Sequence, residues 1–279
     1  MITPLTPTQF AGFQRFLIDS SGINLKESQA YLVENRLMSL IREKGIAEYG
    51  QLLDLMKRDA TVAKEVIDLM TTNETLWFRD SSCWDMLEKQ ILPQLIDHLI
   101  KGERFTVRIW SAASSTGQEA YSLAILLHEQ LIKKNRSDLK VKFSILGTDI
   151  SPSVVDQARL GVYDSFSIGR GLSGERKATY FEKTGETFRL KDEYKSIVSF
   201  QQFNLLNSYA LFGKFDLVLC RNVLIYFSDQ RKTDILSRLS QTLQPGGNLI
   251  LGATESVFGL EVPLESVNFQ QGVCYRLKK

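Results

Sequence analysis

Histidine and cysteine are scarce in this chain: 279 residues hold only His98, His128, Cys83, Cys220 and Cys274. The cysteines are odd in number and widely spaced, with no CxxC pair, so they form neither a disulfide framework nor, with so few histidines, a zinc ligand set. No metal site is expected. A long apolar run is missing as well, since nothing approaches the roughly 20 residues of a membrane span. The opening MITPLTPTQF lacks the basic and then apolar regions of a secretory signal. A cytoplasmic protein with no direct membrane insertion is therefore expected. An excess of charge is absent too: 34 Lys and Arg face 32 Asp and Glu, a net charge of +2, so nothing points to nucleic acid as a partner. The loop from Ala112 to Gly117 holds one glycine, not the three of GxGxxG, and no GKS or GKT triplet follows it, so it is neither a dinucleotide fingerprint nor a phosphate-cradling loop.

What is present centres on VRIWSAASSTGQEAY, residues Val107 to Tyr121. Val107, Ile109 and Trp110 suit a buried strand, Ala112 to Gly117 form a loop of small side chains, and Tyr121, Ala124, Leu127 and Leu131 share one face of a following helix. In open α/β sheets such a loop, at the carboxyl end of a strand, admits a ligand close to the backbone. A turn that binds nothing has the same composition, so both readings stand. A second strand, Phe143 to Asp149, ends on an acid able to accept ribose hydroxyls. The alternative for Asp149 is to cap the helix from Ser153 to Leu160, a task Ser151 suits equally.

Further strands are expected at Val198 to Phe203, Phe215 to Cys220 and Asn248 to Thr254, with a helix from Asp229 to Leu243 and a closing strand at Val273 to Leu277. This alternation predicts an α/β fold with a mostly parallel sheet covered on both faces. Before it, residues 1–72 read as a separate all-helical domain, whose helices include Tyr31 to Lys44, Tyr49 to Lys57 and Thr61 to Met70. Arg36, Arg42 and Lys44 there form either a solvated face or a surface for an acidic helix. TTNETLWFRD, residues 71–80, fits neither period; it is a connector anchored by Trp77 and Phe78, or it places Arg79 as a fixed cation beside a site. Ser82 to Leu99 reads as a helix interrupted near Pro93. Within 161–196 the alternation fails, and Thr187 to Leu190 is expected to pair with Lys195 to Phe200 across KDEY as a β subdomain at about 184–200.

TTNETLWFRD, WSAASSTGQEAYSLAILL, LGTDIS, FNLL, CRNVLIYF and LQPGGNLILGATES, in this order across residues 71–256, resemble the chemotaxis receptor methyltransferases. These protein-glutamate O-methyltransferases transfer methyl from S-adenosylmethionine to receptor glutamates. The resemblance covers almost the whole chain. It implies a helical N-terminal domain joined, at 73–279, to a Rossmann-like methyltransferase domain with a β-hairpin subdomain. It assigns Asn73, Thr75 and Arg79 to the cofactor pocket, with Arg79 nearest the reacting carboxylate. Ala113 and Glu119 fall in the first loop region, Asp149 is the ribose-binding acid, and Asn204 and Leu205 flank the adenine. Asn222 and Val223 continue the pocket, and Tyr226 stands near the transferred methyl.

The same resemblance implies a monomer whose Arg36 and Arg42 dock on the receptor's cytoplasmic methylation helices. Two departures bear on it. Ser39 and Leu40 stand where more basic residues belong, and KTGETFRLKDEYK is shorter and poorer in glycine than the loops that grip a receptor tether, which favours a tether-independent enzyme. Two rival functions remain in view. A nicotinamide oxidoreductase would need the glycine fingerprint in the first loop, where only Gly117 stands, whereas a non-catalytic adaptor that binds S-adenosylmethionine would have lost pocket residues such as Arg79, Asp149 and Tyr226, all of which are present.

Overall fold

Residues 3–278 are described by a computed structural model, and they divide into two compact units. The first holds residues up to Thr72 together with Tyr226–Arg231, and the second holds Asn73–Ile225 and Lys232 onward.

The helical unit contains α1 (Pro7–Ser21), α2 (Ala30–Glu43), α3 (Tyr49–Arg58) and α4 (Ala60–Met70). Thr6 and Gln9 cap the start of α1 reciprocally, side chain to backbone, and Gly22 closes it in the left-handed conformation that spares a Cβ clash. Phe10, Phe13 and Leu17 meet Val33, Leu37 and Ile41, Leu52, and Val62 and Val66 in one core. Helical spacing placed each of these on an inward face.

In the second unit, α5 (Ser81–Met86) continues through a wide π turn, Leu87–Ile91, into α6 (Leu92–Ile100). The interruption expected near Pro93 is this π turn. Pro93 has no N–H to give the preceding turn, and the widened turn, with Leu92 N–H on Leu87 O, takes up the mismatch without ending the helix. The unit goes on with β1 (Val107–Ala112), α7 (Gln118–Lys133), β2 (Phe143–Asp149) and α8 (Pro152–Leu160). An insertion follows, with β3 (Val162–Asp164), α9 (Ser165–Gly169), α10 (Gly174–Tyr180), β4 (Phe181–Thr184), β5 (Thr187–Leu190) and α11 (Asp192–Lys195). The chain closes with β6 (Val198–Gln202), β7 (Phe215–Cys220), α12 (Asp229–Gln241), β8 (Leu243–Leu251), β9 (Leu264–Phe269) and β10 (Gly272–Leu277).

The main sheet runs β6-β2-β1-β7-β8-β10-β9. Its first five strands are parallel, and β10 lies antiparallel between β8 and β9. The order reverses between β1 and β7, the place where an open α/β sheet presents its binding crevice. Trp110 of β1 is fully buried, with its indole N–H on Thr148 Oγ1 (2.9 Å) and its ring among Phe203, Tyr209, Phe212 and Phe215.

Three sequence expectations need correction. β8 starts at Leu243 and ends at Leu251, because Gln244–Gly247 bulge out between the pairs Phe215–Leu243 and Leu217–Asn248 and strand pairing resumes beyond them. Helix α12 stops at Gln241 accordingly. The hairpin of Thr187–Leu190 with Lys195–Phe200 does not form. Instead β5 pairs with β4 across Gly185–Glu186, with Gly185 at φ 59°, and also with β3, which makes a separate antiparallel sheet in the order β3-β5-β4. Asp192–Lys195 is a helical turn, and β6 joins the main sheet beside β2.

Candidate active site

The loop after β1 is built from left-handed backbone: Ala113, Ser115 and Gly117 have φ of 56°, 50° and 93°. Two of these are not glycine, so the conformation must be held from outside. Ser114 N–H donates to Thr148 O (2.8 Å), Ser115 N–H to Asp149 Oδ2 (2.9 Å), and the Ser115 hydroxyl to Asn73 O (2.7 Å). Asp149 therefore sits at the centre of the first two loops. Its other oxygen accepts Ser151 N–H (3.0 Å), and its backbone carbonyl accepts Phe203 N–H (2.7 Å). The capping alternative for Asp149 does not hold, because Ser151 caps α8, its hydroxyl accepting Val154 N–H.

A second cluster links α7, β7 and the connector. Glu119 accepts from the Ser111 hydroxyl (2.7 Å) and from Arg221 Nη1 (2.9 Å). Arg221 Nη2 reaches both Arg79 O and Asp80 Oδ2, each at 2.7 Å, and the Trp84 indole donates to the same Arg79 carbonyl (2.8 Å). The Arg221 side chain is 1% exposed. Burial by itself would lower the pKa of its guanidinium, but Glu119 and Asp80 beside it prevail and hold it above the ordinary value. Burial pushes the neighbouring Cys83 thiol up to about 12, so that it stays protonated and unreactive. The Arg79 side chain is half-buried and places Nη1 on Glu74 O (3.2 Å).

At the ends of β7 and β8, Glu255 gathers three backbone donors: Asn222 N–H and Leu224 N–H at 2.7 Å and Gly252 N–H at 2.8 Å. Asn222 has φ 58°. A Cβ on Gly252 would lie 2.6 Å from Glu255 Oε2 and 2.8 Å from Asn222 N, so only glycine fits there. Asn204 closes its own turn, Oδ1 accepting Leu206 N–H (2.9 Å), while Leu205 is buried.

The structure thus gathers Asn73, Arg79, Ala113, Glu119 and Asp149 through direct hydrogen bonds or chain adjacency. Thr75, Asn204, Leu205, Asn222 and Val223 lie on segments of the same unit. Tyr226, Arg36 and Arg42 belong to the helical unit. There the Tyr226 carbonyl accepts Asn24 N–H (3.1 Å). Arg36 donates to Met70 O (2.7 Å), Thr71 O (2.9 Å) and Thr72 Oγ1 (3.0 Å), which ties α2 to the end of α4, while Arg42 is exposed.

Arg221 and Glu255 were given no role by sequence reasoning. Each lies inside a quoted motif, CRNVLIYF or LQPGGNLILGATES, so their positions were marked although their partners were not. The donor set at the carboxyl edge is rich in carboxylates, with Asp149, Glu119 and Asp80, and the first loop carries no lysine or arginine. That chemistry fits a nucleoside with a cationic tail and disfavours a phosphate.

Two family models match: "CheR methyltransferase, all-alpha domain" over residues 8–71, and "CheR methyltransferase, SAM binding domain" over residues 73–273. A chemotaxis protein methyltransferase of Vibrio parahaemolyticus is 42% identical over 277 residues, covering 98% of each chain. Chemotaxis protein methyltransferase 1 of Pseudomonas aeruginosa is 44% identical over 271 residues, covering 96% of this chain and 97% of that one.

Proposed function

Since the chain belongs to the CheR methyltransferase family, we propose that it methylates glutamate side chains on the cytoplasmic helices of chemoreceptors, giving glutamyl methyl esters. S-adenosylmethionine is its cofactor, and when bound it supplies an electrophilic methyl group. The observation that carries the reading is the Arg221 bridge, which fixes the backbone at Arg79 to the helix that follows the first loop. The bridge thereby ties the main chain at Arg79 to the carboxylates of Glu119 and Asp80.

No general base is needed. A glutamate with a pKa near about 4.3 is already an anion at neutral pH, so the protein's task is alignment. Holding nucleophile and methyl in line accounts for about 7 to 11 kcal/mol in favourable systems. In this proposal the Arg79 guanidinium orients the incoming carboxylate with its planar fork. Asp149 receives the ribose hydroxyls, Asn204 and Leu205 flank the adenine, and Asn73, Thr75, Ala113, Glu119, Asn222 and Val223 line the rest of the pocket. The family resemblance sets Tyr226 near the transferred methyl, where an aromatic ring would stabilise a sulfonium by about 0.5 to 2 kcal/mol.

The test is transfer of labelled methyl from S-adenosylmethionine to purified chemoreceptor cytoplasmic fragments, with release of the label by mild alkali as the signature of an ester. Arg79→Lys should keep the melting temperature and lose most turnover, because misplacement by about 1 Å costs on the order of a hundredfold. Cofactor binding by calorimetry without alkali-labile incorporation into any receptor fragment would instead make the protein an adaptor. Turnover by Arg79→Lys within about threefold of the parent would remove the orienting role, since geometry is then not limiting.

A further inference from the structure

We infer that the three-stranded insertion is a brace for segment 73–80, and that Arg176 and the Arg170–Gly171 turn are positioning residues for methyl transfer. The inference rests on the proposed function, in which that segment carries Asn73, Thr75 and Arg79. The segment has no regular structure of its own, and Phe78 and Asp80, on either side of Arg79, are left-handed at φ 49° and 63°. An aromatic residue rarely adopts that conformation, so its surroundings must impose it. Arg221 holds the Arg79–Asp80 side of the segment, and the insertion holds the other.

One grip is on Trp77. Its N–H donates to Arg170 O (3.1 Å), and its ring meets Tyr163 and Phe181 of the insertion edge-on at 4.9 and 5.2 Å. Gly171, at φ 93°, approaches so closely that a Cβ there would lie 2.0 Å from Trp77 O. Arg170 Nη2 also pairs with Glu74 Oε1 (2.8 Å). The second grip is on Phe78. The Arg176 guanidinium lies 3.8 Å from its ring centroid, and a bidentate pair with Glu129 of α7 (2.9 and 2.8 Å) sets the plane of that guanidinium. Trp84 meets the same Phe78 ring at 4.9 Å, and Phe78 N–H donates to Ser122 Oγ (3.2 Å).

These contacts fall on the residues just before Arg79, where a small change of backbone angle is carried directly to the guanidinium. They are directional as well: a guanidinium over a ring face, a bidentate fork and a carbonyl seated over a glycine. An insertion that served only to bury apolar surface would not need them. A shift of about 1 Å at the reacting groups is enough to cost on the order of a hundredfold in rate.

The experiment uses the full chain, with S-adenosylmethionine and a chemoreceptor cytoplasmic fragment. It measures kcat, KM for the fragment, cofactor affinity and melting temperature for Arg176→Ala, Arg176→Lys and Gly171→Ala, with Lys183→Ala of β4 as a control in the same insertion. Arg176→Ala should lower kcat by about tenfold or more with little change in KM, and Arg176→Lys, which keeps the charge but not the bidentate fork, should fall between it and the parent. Gly171→Ala should move kcat the same way with no change of charge, and Lys183→Ala should match the parent. If both Arg176 variants lower the melting temperature yet keep the parent kcat well below it, the insertion is only structural and the inference fails. Should Gly171→Ala not fold, the Arg176 pair decides alone. Arg79→Ala, assayed alongside, separates the two ideas. Loss there with parental kcat in the Arg176 variants sinks the brace and leaves the Arg79 reading standing; the reverse pattern sinks the Arg79 role and leaves a brace that acts through Asn73 and Thr75 of the same segment.

Discussion

At position 221 a single guanidinium meets two carboxylates and a carbonyl, and lysine cannot replace it, because one ammonium lacks the planar fork that spans Glu119, Asp80 and Arg79 O. Arg221→Met would leave two partly buried carboxylates without their counter-charge, and breaking a buried pair from one side costs about 3 to 5 kcal/mol. A clear drop in melting temperature together with weaker cofactor binding is the expected result; an unchanged melting temperature would show that the bridge contributes little. Asp149→Asn should weaken S-adenosylmethionine binding roughly tenfold or more, since hydrogen bonds to a charged acceptor contribute about 1.5 to 3 kcal/mol. The structure adds a reason: an amide cannot accept from both Ser115 N–H and Ser151 N–H with its two terminal atoms, so the loop loses a tie as well. Parental affinity by calorimetry would remove Asp149 from the pocket. At this scale the sequence located Asp149 at the end of its strand, as β2 has it, because a strand ending in an acid is a local pattern. It gave no role to Arg221 or Glu255, because the partners of Arg221 and two of the three donors to Glu255 lie far along the chain and depend on the tertiary fold.

Among the elements, α2 shows how one side chain differs from its neighbour. Arg36 supplies hydrogen bonds to the carbonyls that α4 leaves open at its end, while Arg42 projects from the last turn of the same helix. Arg36→Ala should therefore cost stability, about 1 to 3 kcal/mol for the unmet carbonyls, and Arg42→Ala should not. Docking on an acidic receptor helix is best tested with Arg42→Ala, which should raise KM for receptor and flatten its rise with salt while cofactor affinity stays the same. Equal KM at low salt would return Arg42 to a solvated face. Helices of this unit were legible because Phe10, Phe13, Leu17, Leu37 and Ile41 repeat at helical spacing, and the parallel strands because Val107–Ala112 and Phe215–Cys220 are short apolar runs. The β insertion was misread for a physical reason. KDEY resembles a turn between strands, whereas the real two-residue turn is Gly185–Glu186, and Phe181–Thr184 carries too little alternation to announce a strand.

Over the whole molecule, a loss of stability in acid is expected from His128 on α7. Its ring meets Tyr180 and Tyr194 edge-on, with Nδ1 3.2 Å from the Tyr180 hydroxyl. Burial first, and Lys140 second, push its pKa below the ordinary value, while Glu193 and Glu129 act the other way without prevailing. The unfolded chain then binds the proton more readily, so the contribution to stability is whole above about pH 6.5 and is lost as the pH falls from there through the lowered folded value. Unfolding followed between pH 5 and 8 should show His128→Gln with a weaker acid loss than the parent; identical slopes would clear this ring. The three thiols have a different consequence. Cys83, Cys220 and Cys274 are all buried, and burial raises each pKa, to about 12 at Cys83 and about 11 at Cys274. The folded chain should therefore ignore alkylating reagents. Because no cysteine lies in residues 1–72, any label that does enter counts openings of the sheet-bearing unit alone, a natural clock for one of the two units that needs no added probe.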